Sequence, residues 1–182
     1  MLKLQGKQIY LAVLERTDCT KLFEDDEYDF NNPTEILHIG NSIEKANEWF
    51  DEIQKIQGKT NVRLGIFLNS GAIIGDVALQ NIDTQNRSCS IGVGIAKLTN
   101  RNNGYGKEAV RLMLNYGFNH LGMERITART CETNISAQKS LERVGFVLEG
   151  KERKAIYMGG KRYDKYNYGI LAQEYRSKEK CT

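Results

Sequence analysis

The sequence predicts an α+β (mixed α/β) domain: a mostly antiparallel, twisted sheet of six or seven strands flanked by about four helices. Three observations carry that expectation. Residues 62–96 hold three apolar, β-branched runs, VRLGIFL, AIIGDVALQNI and CSIGVGIA, separated only by the turn signals NSG and TQNRS, as in strands that return antiparallel. Residues 41–56 and 105–121 instead repeat their apolar side chains at helical spacing. Between residue 121 and residue 171, strand-like and helix-like runs then alternate.

In chain order, QIYLAVL (8–14) reads as a first strand, and ERTDCTKLFEDDEYDF as a short helix or two that lose their pattern near Asn31–Pro33. Asn41, with Glu44 three residues on, resembles a capping box. Ile43, Ala46, Trp49, Phe50, Ile53 and Ile56 follow on one helical face. After the three strands, Ala109, Val110, Met113, Leu114, Gly117, Phe118 and Leu121 form a broad buried helix face, which makes Tyr116 and Phe118 core residues. RITARTC (125–131) is a strand, Asn134 starts a helix that Gly145 ends as a left-handed cap, and two strands close the pattern around FVLEGKERKAIYM and RYDKYNYGIL. No repeat, low-complexity tract or linker divides the chain, so residues 1–182 are expected to be one domain.

Composition narrows the function classes. A hydrophobic fraction of 40% with 27% charged residues is that of a soluble globular chain. No apolar run reaches the roughly 18 residues of a membrane span, and the start lacks a signal-peptide pattern, so the expected location is cytoplasmic with no membrane partner. Cys19, Cys89, Cys131 and Cys181 show no CxxC spacing, which predicts four packing thiols and no metal. A net charge of +3 is too small to imply nucleic acid. Its distribution is uneven: residues 15–52 hold twelve acidic against three basic residues, and residues 151–182 nine basic against four acidic. His38 and His120 have no partner in any motif and read as surface residues.

The stretch TNRNNGYGKEAV (99–110) sets glycines ahead of a helix, which suits an anion: bare backbone N–H groups converge on phosphate oxygens and the helix dipole adds attraction. A Walker A loop fails, because Glu108 follows Gly106–Lys107 and Arg101 stands where the first glycine belongs. A dinucleotide fingerprint fits Gly104, Gly106 and Ala109, with Glu124 20 residues past the first glycine. Its context does not fit, since Glu124 precedes a strand and no second βαβ half follows.

RNNGYG also matches R/Q-x-x-G-x-G/A and resembles the acyl-CoA loop of the GNAT N-acetyltransferase superfamily. NISAQKSLERVGF is similar to that family's N-x-x-A/S-x-x-x-L/Y-x-x-x-G-F segment, and AIYMGGKRYDKYNYGIL to the ending of its RimJ/RimL-like branch. The order of elements agrees over residues 88–171. The resemblance implies the GNAT fold, acetyl-CoA as cosubstrate, and direct attack of an amine on the thioester. Residues 88–146 would form the CoA half, and 15–57 with 147–171 the acceptor side. It places amides of Asn102, Asn103, Gly104, Tyr105, Gly106 and Lys107 on the pyrophosphate, with charge from Arg101 and Lys107. Gly94, Ile95 and Ala96 would meet the pantetheine and thioester, Asn134 the pantetheine, and Lys139 and Arg143 the nucleotide end. Gly92 and Gly94 suit close backbone approach, with a plain bulge as the other explanation.

The resemblance weakens at the proton chemistry. Ser90 stands where many relatives carry a carboxylate, Leu141 where some carry a tyrosine, and Ala137 where others carry a serine. Ser140 is a neighbouring hydroxyl turned about 100° away on the helix. Proton removal stays open among water, Asp76, Glu149 and a carboxylate of the acidic segment. Within FEDDEYDF, Glu24, Asp25, Asp26, Glu27 and Tyr28 would draw a cationic amine: a polyamine, an amino sugar or a protein N-terminus. Two other functions remain beside N-acetyl transfer, a non-catalytic acyl-CoA sensor and a nucleotide-binding oxidoreductase. The resemblance also leaves room for a homodimer.

Overall fold

A computed structural model describes residues 2–30, 33–35, 37 and 41–179. Asn31, His38 and Cys181 lie outside them.

Among the described residues, eight strands form one sheet: β1 (Lys3–Gln5), β2 (Ile9–Ala12), β3 (Val62–Leu68), β4 (Ile73–Asp83), β5 (Ser88–Ile95), β6 (Arg125–Cys131), β7 (Val147–Met158) and β8 (Lys161–Leu171). The described residues also hold five α-helices: α1 (Arg16–Asp25), α2 (Ile43–Ile56), α3 (Tyr105–Asn115), α4 (Ile135–Val144) and α5 (Ala172–Glu179). The order across the sheet is β1-β2-β3-β4-β5-β6-β8-β7. Every neighbouring pair is antiparallel except β5 and β6, which run parallel.

The period-two alternation of the strands gives the sheet two unlike faces. Leu64 on β3, Val77 and Leu79 on β4, Ile91 on β5, Ile126 on β6 and Ile170 on β8 join one apolar core. Ala109, Val110, Met113, Leu114 and Phe118 of the α3 segment, Leu141 and Val144 of α4, and Tyr175 of α5 close that core from outside. Helices α1 and α2 cover the other face with a smaller cluster of Leu14, Cys19, Leu22 and Ile53, flanked by Trp49 and Phe50. Cys19, Cys89 and Cys131 are buried and unbridged, and burial pushes the thiols of Cys19 and Cys89 up to about 12, which suits packing.

Two elements exceed the expected count. β1 reads KLQ and α5 reads AQEYRSKE, and neither carries a periodic apolar pattern. The cap of α2 is Ser42, whose hydroxyl accepts from Lys45 N at 3.1 Å, and the Asn41 amide donates instead to Asp26. Ile43 and Ile56, at the ends of the predicted apolar face, are exposed because α2 overhangs its cluster at both tips. The expected helix over 105–121 becomes α3 followed by a π-turn over Tyr116–His120, while Phe118 is buried and Tyr116 packs half-buried on the core. Gly145 ends α4 at φ 113°, the left-handed cap its position predicted.

Candidate active site

The parallel seam is short. β5 and β6 pair only where Ser88, Cys89 and Ser90 face Arg125, Ile126 and Thr127, yet β5 runs on to Ile95 and β6 to Cys131. Beyond Ser90 the strands part and leave a gap in the sheet. The Ala96 N–H bonds to Ile74 C=O at 3.0 Å, so alternation along the antiparallel ladder turns Ser90, Gly92 and Gly94 toward β4. Ile91, Val93 and Ile95 therefore direct their backbone groups into the gap, and the Ile95 carbonyl accepts from Arg101 Nε at 3.0 Å. Register shifts in the β4–β5 ladder fall between Gln80 and Asp83, so Gly92 and Gly94 are regular strand residues and not a bulge.

At the mouth of the gap the chain makes a 3-10 turn over Leu98–Asn100 and enters α3. Asn102 at φ 64° and Gly104 at φ 87° are both left-handed, and open space surrounds the position a Gly104 side chain would take. Gly104 caps α3 without offering a side-chain acceptor, so the first-turn amides are free to meet an outside anion. The Cβ direction of Gly106 points at Val93 and Ile95, so this first turn lies over the end of β5. Helix α4 starts alongside, where the Ser136 hydroxyl donates to Asn102 Oδ1 at 2.9 Å. Asn134 caps α4 by accepting from Ala137 N at 3.0 Å. Asn103 donates to Thr99 C=O, and Lys139 and Arg143 are exposed on α4.

Arg101 is otherwise engaged than its motif suggested. Besides Ile95, its guanidinium donates to the Glu27 carbonyl at 3.1 Å and meets the Glu35 carboxylate at 3.3 Å. It ties the segment after α1 to the end of β5. The acidic residues are likewise stitched down. Asp25 takes Lys21 at 2.8 Å and Lys97 at 3.2 Å, and the Lys21 bond foremost holds its carboxyl below the ordinary range. Asp26 accepts from Asn41, while Glu27 accepts from Leu98 N at 2.7 Å and donates its own N–H to Ala96 C=O. Glu24 stays exposed, 3.6 Å from Lys21, and Tyr28 packs edge-on against Phe30. Farther on, Pro33 C=O accepts from Thr133 just past β6 at 3.0 Å. The acidic segment thus touches the end of β5, and Pro33 beyond it touches the end of β6.

The polar face of the sheet passes under the gap. Asp76 opposes Gly94, Gln80 opposes Ser90, Ser90 opposes Thr127, and Arg129 opposes Asn167, so these side chains share one face. Asp76 forms a tight ion pair with Arg63, whose guanidinium lies over the Trp49 ring at 5.3 Å. Burial pushes the Asp76 carboxyl above its ordinary range, while the Arg63 charge pulls it back. A Cβ on Gly94 would lie 3.5 Å from Asp76 Oδ1, and one on Gly92 3.8 Å from Gln80 Oε1, so the two glycines form a trough beside the carboxylate.

Of the four residues considered for proton transfer, Asp76 and Ser90 lie beside this trough. The Ser90 hydroxyl donates to Gln80 C=O at 3.2 Å and accepts from Asn81. Glu149 is held on β7 by Arg125, which keeps its carboxyl below the ordinary range. Ser140 sits on α4, across the sheet from the trough. Arg63, Trp49, Arg129 and Asn167 were not anticipated; the signal for the first was a charged residue alternating with Val62 and Leu64 in a strand. His120 is exposed and stacks on Tyr116. Among the described residues, no three His, Cys, Asp or Glu side chains converge as metal ligands, and no helix is long and apolar enough to cross a membrane.

A sheet parted at one parallel seam, with a glycine-capped helix aimed at the opening, is the scaffold of an acyltransferase. The family description "Acetyltransferase (GNAT) domain" matches residues 9–147. The chain belongs to this family and is an N-acetyltransferase by class. It is 30% identical to the probable N-acetyltransferase YjcK of Bacillus subtilis (strain 168), over 86% of this chain and 90% of that protein. YdaF of the same organism, whose name ascribes to it a ribosomal N-acetyltransferase activity, is 31% identical over 62% of this chain; the match spans 61% of YdaF. Among solved structures, a spermidine N-acetyltransferase SpeG chimera from Vibrio cholerae and hSSAT superposes with a TM-score of 0.81 at 23% identity, over 93% of this chain and 99% of that one.

Proposed function

We propose that the chain, as a RimJ/RimL-like member of the family, transfers an acetyl group from acetyl-CoA to a primary amine that carries positive charge in solution, in the cytoplasm. The observation that carries this is the three-residue seam, which leaves the far end of β5 without a strand partner on its β6 side, next to the bare N-terminus of α3. The left-handed, open Gly104 cradle fits a pyrophosphate, which a side chain there would crowd. Acetyl-CoA, when bound, supplies the activated thioester.

The chain's own groups do the rest. Amides from Asn102 to Lys107, with the Lys107 ammonium, hold the diphosphate, and Asn134, Lys139 and Arg143 flank it on α4. Backbone groups of Val93 and Ile95 orient the arm that enters the gap, which supplies rate through proximity. Glu24 and its acidic neighbours raise the local concentration of a cationic acceptor, which the named activity of a 25% identical spermidine N(1)-acetyltransferase of Vibrio cholerae supports. Over the Gly92–Gly94 trough, Asp76 accepts the proton that the ammonium loses; a carboxyl raised by burial is suited to that role.

Free-thiol release from acetyl-CoA, measured across an amine panel at increasing salt, tests the proposal. Release should require an amine, and the rate at low amine concentration should fall several-fold as ionic strength rises from about 0.01 to 0.15 M. Salt-insensitive rates with a preference for neutral amines would sink the charge-steering part, and thiol release that ignores the amine would sink the transfer.

A further inference from the structure

Helices α1 and α2 pack on the polar face at β4 and Arg63, whereas Arg129, Glu149 and Glu152, farther along the same face, are exposed. Arg125, Thr127, Arg129, Glu149, Glu152 and Asn167 line a shallow concavity of about 180 Å³ there. Most of its polar groups are matched. Arg125 grips Glu149 with both terminal nitrogens, Lys165 meets Glu152 at 2.5 Å, and Asn167 Nδ2 donates to Glu152 at 3.0 Å.

Two groups are left over. Arg129 forms no hydrogen bond or ion pair with any described residue, although its charge adds to the Lys165 and Asn167 hydrogen bonds that hold the Glu152 carboxyl down. Asn167 Oδ1 is buried and has no hydrogen-bond partner. Because Nδ2 is fixed on Glu152, turning the amide over would only exchange one unmet group for another. Arg129 and Asn167 are directly opposed on β6 and β8. Arg129 lies two residues beyond Thr127, where the seam ends, which puts it on the rim of the gap roughly 7 Å along the strand.

We infer that Arg129 and Asn167 form a subsite for the part of the acceptor behind its reacting amine, and that they select acceptors bearing a carbonyl or carboxylate there over polyamines. A guanidinium without a partner offers donors to a carbonyl or carboxylate oxygen, and an adjacent N–H supplies the donor that Asn167 Oδ1 lacks. An amino-acid amide or a peptide start presents both groups within a few bonds of its amine. A polyamine presents donors and positive charge only, and Arg129 repels it. The inference rests on the proposed transfer site in the β5–β6 gap.

The test is calorimetric titration of the CoA-saturated protein with trialanine and with spermidine, for the wild type, Arg129→Ala and Arg129→Lys, alongside thiol release from acetyl-CoA. Trialanine should bind the wild type about tenfold more tightly than spermidine, weaken about tenfold in Arg129→Ala and recover in part in Arg129→Lys, with the KM for acetyl-CoA unchanged. Trialanine affinity within about twofold of wild type in a folded Arg129→Ala variant overturns the subsite, as does a wild-type preference for spermidine. Binding that depends on Arg129 without thiol release from either amine supports the subsite and refutes the transfer. Thiol release that is indifferent to Arg129 does the reverse.

Discussion

The two faces of the sheet use the same strands for different ends. On the face under α3, α4 and α5, Leu64, Val77, Leu79, Ile126 and Ile170 are all fully buried. Their sequence neighbours on the opposite face include Arg63, Asp76, Gln80 and Thr127, and none of these is fully buried. Parity along a strand therefore separates what makes the fold from what makes the site. Asp76 can be held next to Gly94 because Val77, one residue on, is anchored in the core.

That separation can be broken or sharpened by substitution. The largest effect is expected at the mouth, which neither face owns. Gly104→Glu puts a carboxylate and a left-handed side chain where the proposed anion would sit, and CoA affinity should fall by more than about a hundredfold while the fold loses only about 1 kcal/mol. Calorimetry against CoA with a thermal melt checks it, and undiminished affinity in a folded protein refutes the loop assignment. Next, on the apolar face, Leu79→Ala should cost about 2–5 kcal/mol and lower Tm on the order of 10 °C, with activity per folded molecule kept.

Gly92→Val is the mirror experiment on the polar face. Valine favours strands, and its Cβ would meet only Gln80 Oε1 at 3.8 Å, an ordinary contact, so Tm should hold or rise while kcat/KM for the amine falls about tenfold. Equal activity would remove the trough from the site. The smallest effect is a pH shift. Arg63 lowers the Asp76 carboxyl, so Arg63→Gln should raise it further and move the acid limb of the pH–rate profile to higher pH. Stability should respond with a matching sign. A carboxyl whose folded-state pKa is raised favours the fold below its unfolded pKa, and that contribution is lost as pH rises through the folded value. The variant should therefore be least stable, relative to wild type, at neutral pH.

The sequence made the framework readable where one physical rule dominated. Strand alternation located β3 to β6 within about a residue, because burial of one face fixes which residues each strand must hold. Gly104 and Gly145 were legible because their backbone conformations leave few alternatives. β1 and α5 were not, since KLQ and AQEYRSKE hold their places through pairing and docking with no pattern of their own. At the site, the loop and the start of α3 were visible as a local motif. The long-range partners were hidden: nothing local links Arg101 to Glu35, Asp76 to Arg63, or Asn167 to Glu152. Asp25 and Glu27 read as free charges for the same reason, because Lys97 and Leu98 lie some seventy residues away in sequence.

The three-residue seam also governs how the molecule can come apart. β1 to β5 form a meander in which each strand pairs with its sequence neighbour, and β6, β8 and β7 form a second ladder closed by β8. Among the described residues, strand pairing joins the two ladders only at Ser88–Ser90 and Arg125–Thr127, with Arg87 C=O accepting from Glu124 N just before them. Across the rest of the boundary the halves adhere through side-chain packing beneath α3 and α4, which tolerates small rotations that a hydrogen-bonded ladder does not. In native-state hydrogen exchange the chain should behave as two cooperative blocks with a breathing line between them, and that line is the cleft through which the proposed transfer would admit its thioester.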